Sequence, residues 1–266
     1  MRLGIYISLI ILLLTASCGE YEKVLKSTDY EQKKTLAYEY FEEGRYVRAT
    51  ELLSQVIPRY RATEQAEELT WLAAQCYYNI RDYMTAGAAY KNFFEGYPYS
   101  EHAEEAAFMT AYCDYMLSPR PELDQAYSMS AIEQFQYFLR RFPSSEKGEE
   151  AENLIKELED KLVEKSFLSA RLYYDMERYR AAIVALSNSL KEYPETKHRE
   201  ELLFLKLESN YQYAANSVSD KQTERYQNTL DEYYSFIEEF PESKFLDDIE
   251  KIYNSTARFL KLEEGN

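Results

Sequence analysis

Apolar side chains recur every three to four residues along most of the chain, which is the spacing of one face of an α-helix. Near the C-terminus an apolar stripe with charged residues between its members runs through Phe245, Ile249, Ile252, Tyr253 and Leu260. The sequence has only 7 glycines and 7 prolines, and it lacks the alternating runs of Val, Ile and Thr that favour strands. The pattern predicts an all-α protein.

A four-residue word interrupts the helical pattern five times. It consists of an aromatic residue, two further residues and then Ser or Thr, and its copies span residues 60–63, 97–100, 142–145, 193–196 and 240–243. Proline follows the aromatic residue in every copy except the first, where Arg61 stands. Because proline ends a helix and a Ser or Thr hydroxyl can accept hydrogen bonds from the amides that begin the next one, each copy is predicted to separate two helices.

Small residues and aromatic residues precede each word at constant distances. Twelve residues before the proline position lie Ala49, Ala86, Ala131, Ala182 and Thr229, and three residues earlier lie Tyr46, Tyr83, Ser128, Tyr179 and Tyr226. This is the register of tetratricopeptide repeats, in which small residues let paired helices approach closely and aromatic rings fill the space between hairpins. We therefore predict a tetratricopeptide-like superhelical solenoid of about five helical hairpins with a C-terminal capping helix.

The repeats divide the chain into predicted segments. Residues 1–17 are predicted to be a signal peptide, 18–29 a lipid-anchored N-terminal segment and 30–262 the solenoid, with repeats at about 30–63, 64–100, 101–145, 146–196 and 197–243 and a cap at 244–262. An unbroken helix is expected over 149–174. Insertions at 117–124 and 215–224 lengthen the third and fifth repeats, and both a partner-binding role and a spacer role stay open for them.

The first residues have the pattern of a bacterial lipoprotein signal. Arg2 precedes an apolar stretch of about a dozen residues, and the small residues Ala16 and Ser17 precede Cys18. The stretch is too short for a membrane span, which needs about 20 apolar residues. We expect the Cys18 sulfur to carry a diacylglyceryl group, whereas ordinary cleavage near Ser17 is the alternative. Gly19, where lipoproteins of the inner membrane usually have Asp, favours the outer membrane.

Net charge excludes nucleic acid as a partner. The formal charge is −16, and removal of residues 1–17 leaves 30 basic against 47 acidic side chains, a net −17. The phosphates of nucleic acids and anionic lipid headgroups would both repel such a surface. We therefore expect attachment to the membrane through the lipid anchor.

The residue types that catalysis and metal binding require are scarce. The only histidines, His102 and His198, each follow one of the words and are expected on the surface, and the sequence has no glycine-rich phosphate loop. We expect no enzyme, no catalytic residue, no metal and no cofactor beyond the N-terminal acyl and diacylglycerol groups. Cys76 and Cys113 lie one repeat apart, and we expect small buried side chains there in preference to a disulfide, because packed helix axes are about 8–10 Å apart.

Tyrosine is abundant, with 27 copies, and the repeat register uses many of them. The tyrosines that are candidates for peptide or partner binding, or else for packing between repeats, are Tyr40, Tyr46, Tyr77, Tyr78, Tyr83, Tyr173, Tyr174 and Tyr179. Both members of a doublet such as Tyr173 and Tyr174 cannot face one core, so one of each is free to contact an extended peptide.

The sequence resembles the BamD family through three features in combination. These are a lipobox-like Cys18, a first repeat that starts soon after it with Gly44, Arg45 and Tyr46, and the five words. Members of this family are tetratricopeptide lipoproteins of the outer-membrane β-barrel assembly (BAM) complex. The resemblance implies a scaffold on the periplasmic side of the outer membrane whose C-terminal repeats bind the POTRA domains of a BamA-like barrel protein. It also implies that the N-terminal repeats receive unfolded outer-membrane proteins for insertion, with other Bam lipoproteins as further candidate partners.

Two other classes of envelope protein share some of these features. Periplasmic tetratricopeptide proteins of the Tol-Pal system, which act in cell division, also use aromatic-proline words, but they usually carry a coiled coil before the repeats and no lipid. Here the first repeat follows Cys18 too closely for sustained heptads. A glycan- or nutrient-binding lipoprotein would normally be much longer, and Trp71 is the only tryptophan available for sugar stacking.

Overall fold

The computed structural model describes residues 21–261, and the predicted signal peptide and Cys18 lie outside them. Residues 21–26 are helical, and the helices that follow are α1 (Tyr30–Glu42), α2 (Tyr46–Tyr60), α3 (Gln65–Asn79), α4 (Tyr83–Gly96), α5 (Ala103–Leu117), α6 (Ala126–Arg141), α7 (Gly148–Asp175), α8 (Tyr179–Glu192), α9 (Arg199–Ala215), α10 (Ser219–Glu239) and α11 (Leu246–Leu260). This part of the chain contains no strand. None of its helices is both long and apolar enough to cross a bilayer.

Helices α1 to α10 form five hairpins in chain order, and α11 packs against the last of them as a cap. The predicted tetratricopeptide-like, all-α fold is thereby confirmed. The chain divides into two compact units. Unit 1 comprises the described residues up to Pro119 together with Gln125–Leu158, and unit 2 comprises Arg120–Asp124 and the described residues from Glu159 onward.

Small residues lie where the helices of a hairpin approach most closely. Ala37, Ala49, Ala74, Ala86, Ala111, Ala131 and Ala182 are all fully buried in the cores of their own units. Neighbouring hairpins also approach closely, because a Cβ atom added to Gly87 on α4 would lie 3.2 Å from the Cβ of Cys113 on α5. These positions match the register that the sequence indicates.

Three hairpin turns close with the same backbone motif. Gly44, Arg81 and Glu177 have φ of 72°, 63° and 56°, and each lies two residues before a tyrosine. In the first turn the Gly44 amide donates to the Phe41 carbonyl and the Arg45 amide to the Tyr40 carbonyl, at 3.0 and 2.7 Å. The other two turns repeat this pair of bonds. The turns are therefore Schellman motifs, which satisfy the last carbonyls of the first helix.

In four of the five words the Ser or Thr hydroxyl binds a backbone amide slightly before the position of a helix N-cap, whereas the Thr63 hydroxyl of the first word donates to the Tyr60 carbonyl at 2.8 Å. The hydroxyls of Ser100, Ser145, Thr196 and Ser243 each accept a hydrogen bond from the amide two residues later, at 3.0–3.2 Å. At Ser100 this amide belongs to His102, the residue before α5. The hydroxyl thus fixes a tight turn that leads into the helix.

The residue two positions after the Ser or Thr covers an aromatic ring of the preceding hairpin. His102 stacks on Trp71 with ring centroids 4.5 Å apart, His198 on Phe167 at 4.0 Å and Phe245 on Phe204 at 4.2 Å, while the Lys147 ammonium lies 4.6 Å from the Phe108 ring centre. The expectation that both histidines lie on the surface is wrong for His198, whereas the His102 side chain is 37% exposed. The His198 side chain is only 17% exposed, because the turn delivers its ring onto Phe167.

Candidate functional site

The candidate tyrosines differ in exposure. Tyr40 is buried, Tyr46, Tyr77, Tyr78, Tyr83, Tyr174 and Tyr179 are half-buried, and Tyr173 is exposed. The Tyr40 ring lies 5.6 Å from that of Tyr21, and the Tyr78 ring lies 5.7 Å from that of Tyr83. Contacts with neighbouring rings therefore occupy part of the surface of Tyr40, Tyr78 and Tyr83. A binding role for these tyrosines stays a prediction.

Tyr173 and Tyr174 point to different surroundings, as a doublet on one helix must. The Tyr174 hydroxyl donates to a Glu208 carboxylate oxygen at 2.7 Å, and burial together with this bond raises the pKa of Tyr174. The Tyr173 side chain is 45% exposed. Tyr173 is therefore the tyrosine of this pair that a partner can reach.

Tyr173 lies in an open groove of about 760 Å³ within unit 2, which we call the α8 groove. Its apolar surface comes from Tyr173, Tyr179, Val184, Ala185 and Tyr213, where the turn between α7 and α8 meets the end of α9. Val184 is 57% exposed although it is aliphatic. The volume falls within the range of about 300–1,000 Å³ that is typical of ligand pockets.

Basic and amide side chains line the remainder of the α8 groove. Arg178 and Arg180 come from the turn and the start of α8, and Asn188 and Asn216 are the side-chain amides. Glu177 is the one carboxylate in the lining. The groove is thus locally basic in a chain whose net charge is −16.

Unit 1 contains an equivalent groove of about 720 Å³ at its first hairpin turn. Arg45 and Tyr46 there correspond to Arg178 and Tyr179, and Ile80 corresponds to Tyr213. Arg45 already has partners, since its guanidinium lies 3.1 Å from a Glu43 carboxylate oxygen and 5.6 Å from the centre of the Tyr40 ring. The two grooves are therefore formed at the same kind of hairpin turn, and they differ in the contacts that their arginines make.

Arg178, Arg180 and Val184 are functional candidates that the sequence pattern did not predict. A signal was present, because an Arg-Tyr pair opens the second helix of both the first and the fourth repeats. Apolar spacing alone did not single out Val184, since it lies two positions from both Ala182 and Leu186, on the side of α8 opposite the buried stripe. Only the fold shows that Tyr213, which lies 29 residues after Val184 in the chain, completes the same surface.

The two cysteines of the described region are free and buried. Burial raises the pKa of both Cys76 and Cys113 to about 12. Thiols in such surroundings are inert at neutral pH, because the reactive thiolate is barely populated. Among residues 21–261, no group of three or more His, Cys, Asp or Glu side chains is placed to hold a metal ion.

Comparison with known families identifies the class of protein. The family model described as YfiO, outer membrane lipoprotein, matches residues 28–224. The chain belongs to this family. The matched span takes in α1 to α9 and both grooves, so the YfiO family relationship covers the surfaces described above.

Solved structures similar to this YfiO family member are tetratricopeptide proteins. The TPR2AB domain of yeast Sti1, in a complex with pHSP90, is 14% identical, with 86% of this chain and 98% of that chain covered and a TM-score of 0.37. Nearly identical TPR-like repeats from Podosopora anserina are also 14% identical, with 86% and 96% covered and a TM-score of 0.33. No curated protein matches the chain.

Proposed function

We propose that this chain is the tetratricopeptide scaffold of an outer-membrane β-barrel assembly machine and that it acts by binding other proteins, without catalysis. The observation that carries the proposal is the match to an outer-membrane lipoprotein family over residues 28–224, on a chain built of five helical hairpins. Acyl chains on Cys18 would hold the protein at the outer membrane, facing the periplasm.

In this proposal the C-terminal repeats bind the POTRA domains of a BamA-like barrel protein, and the N-terminal repeats receive unfolded outer-membrane proteins. Two binding surfaces on one chain raise the effective concentration of substrate near the insertase. Exposed apolar side chains in unit 1 support a binding role, because Val47, Met84 and Met129 occupy equivalent places in successive second helices and are 56–62% exposed. Methionine adapts readily to varied partner side chains.

Photo-crosslinking in living cells tests the partners. A photoreactive amino acid at Met84, in unit 1, is expected to capture unfolded outer-membrane proteins, and one at Tyr234, which is 54% exposed in unit 2, is expected to capture the POTRA-bearing barrel protein. The loop residue Tyr99, which is 96% exposed, provides a background position. Capture of Tol-Pal components in place of barrel-assembly components would refute the proposal.

Metabolic labelling tests the anchor. Radioactive palmitate should label the mature protein and should fail to label the Cys18→Ser variant, which should also leave the membrane fraction. The Cys76→Ser variant is the matched control, because that thiol is buried in the core and should not affect labelling. An unlabelled wild-type protein would remove the anchor from the proposal.

A further inference from the structure

The α8 groove joins an exposed apolar surface to unpaired positive charge. Its apolar side chains include Val184 and Tyr173, which are 57% and 45% exposed. Scattered exposed apolar residues are ordinary, but several that line one concave surface are typical of a binding site. The clustering of exposed apolar side chains in the α8 groove therefore indicates a binding site.

Arg178 and Arg180 have no ion-pair or hydrogen-bond partner for their guanidinium groups among the described residues. Arg171, which lies on the preceding helix, shows the usual arrangement in this acidic chain, since it contacts both Asp175 and Glu201. Arg45 at the equivalent groove of unit 1 is likewise paired with Glu43. The α8 groove thus keeps two arginines available where carboxylates are abundant.

We propose that the α8 groove binds an extended segment of a partner protein that carries a large apolar side chain next to carboxylates. The apolar side chain would lie against Val184, Ala185 and Tyr213. The carboxylates would pair with Arg178 and Arg180, because guanidinium groups form strong, often bidentate bonds to carboxylates. Asn188 and Asn216 offer amide donors and acceptors to the backbone of the segment.

Charge complementarity selects this occupant over a second copy of the chain. Two copies would each bring a net charge of −16, so their association would be opposed over most of the surface. A short acidic segment meets only the local positive charge of the groove. The proposal goes beyond the proposed scaffold function, since it depends on the groove and not on POTRA domains or unfolded barrels.

The test is fluorescence anisotropy with the full-length lipidated protein in detergent. The probe is a labelled glycine-serine peptide with one phenylalanine followed by two aspartates, and the reference peptides replace either the phenylalanine by glycine or the aspartates by lysines. We expect the probe to bind and both reference peptides to bind about tenfold more weakly or worse. Raising the salt concentration should weaken binding of the probe.

Two groove variants and two matched controls locate the site. Arg180→Glu and Val184→Asp should each weaken probe binding by about tenfold or more, whereas Arg61→Glu in unit 1 and Val218→Asp in unit 2 should leave it within about twofold. All four positions are exposed, so circular dichroism and the melting temperature should be unchanged. Arg180→Glu should also improve binding of the lysine peptide, which no loss of folding would produce.

Several results would overturn the proposal. These are absence of probe binding, equal binding of the lysine and aspartate peptides to wild type, and probe binding that Arg180→Glu and Val184→Asp leave intact. Self-association in ultracentrifugation that Arg180→Glu abolishes would assign the groove to a second copy. Sedimentation with phosphatidylglycerol vesicles that depends on Arg180, in place of peptide binding, would assign it to a lipid surface.

Discussion

Single residues set the backbone of the hairpin turns. The position two residues before the tyrosine adopts positive φ in three turns, and it is Gly44 in the first but Arg81 and Glu177 in the others. Only glycine adopts this region without a steric cost from Cβ. The Schellman bonds hold Arg81 and Glu177 there nonetheless, so the turn geometry does not depend on glycine but is more stable with it.

Replacement of Gly44 by alanine should therefore destabilise the protein by about 1 kcal/mol. The cost is in the backbone, because the nearest atom to an added Cβ is 4.0 Å away in the Tyr46 ring. Gly96→Ala is the control and should stabilise the protein, since Gly96 ends α4 at an ordinary φ and an added Cβ would meet nothing within 4 Å. Urea unfolding measures both, and equal effects of the two variants would contradict the argument.

At the scale of elements, neighbouring hairpins are joined by rings and turns. Glu164 on α7 lies 2.9 Å from His198 Nε2 and 3.3 Å from Lys197 Nζ, both in the turn before α9, while the His198 ring covers Phe167. Burial by itself would raise the pKa of Glu164, but the hydrogen bonds and positive charges of His198 and Lys197 outweigh it and lower the pKa. This junction is thus held by stacking and by charge together.

The lowered pKa of Glu164 predicts a pH dependence of stability. A carboxylate with a lower pKa in the folded state contributes stability above its unfolded pKa, near 4.5, and the contribution is lost as pH falls through the folded pKa. From pH 5 to pH 3 the melting temperature of the wild type should therefore fall further than that of Glu164→Gln. Glu159→Gln, an exposed carboxylate on the same helix, should behave like the wild type. An equal fall in melting temperature for the wild type and Glu164→Gln would contradict the stabilising role of Glu164 at this junction.

The periodicity of the sequence was sufficient to predict the helices but not to predict the contacts between them. The constant distance from each word to Ala49, Ala86 and their equivalents predicts the close approach of paired helices, because that distance is a local property of the chain. The stacking of His198 on Phe167 joins residues 31 positions apart across a turn, so helical spacing carries no trace of it. The α8 groove was missed for the same reason, since Val184 and Tyr213 meet only in the folded unit.

At the scale of the whole molecule, the cysteine of the proposed anchor and the cysteines of the core differ in chemical state. The sequence has 3 cysteines, of which Cys76 and Cys113 are buried, free thiols, while Cys18 is proposed to carry lipid through its sulfur. A thioether sulfur cannot react as a thiolate, and a buried thiol reacts only when the protein unfolds. We therefore expect the number of reactive thiols in the mature protein to depend on whether the protein is folded and, independently, on whether Cys18 carries lipid.

Thiol titration with Ellman's reagent measures both dependences. Native protein purified from membranes should show almost no reaction at pH 8, because the pKa of both core thiols is raised to about 12. In guanidinium chloride the same protein should show two thiols, which is one fewer than its 3 cysteines. A version made without residues 1–17, which cannot be lipidated, should show three on unfolding and one, Cys18, when native. Three thiols in denatured protein from membranes would mean that the Cys18 sulfur carries no lipid, and rapid native reaction of two would mean that the core is open around Cys76 and Cys113.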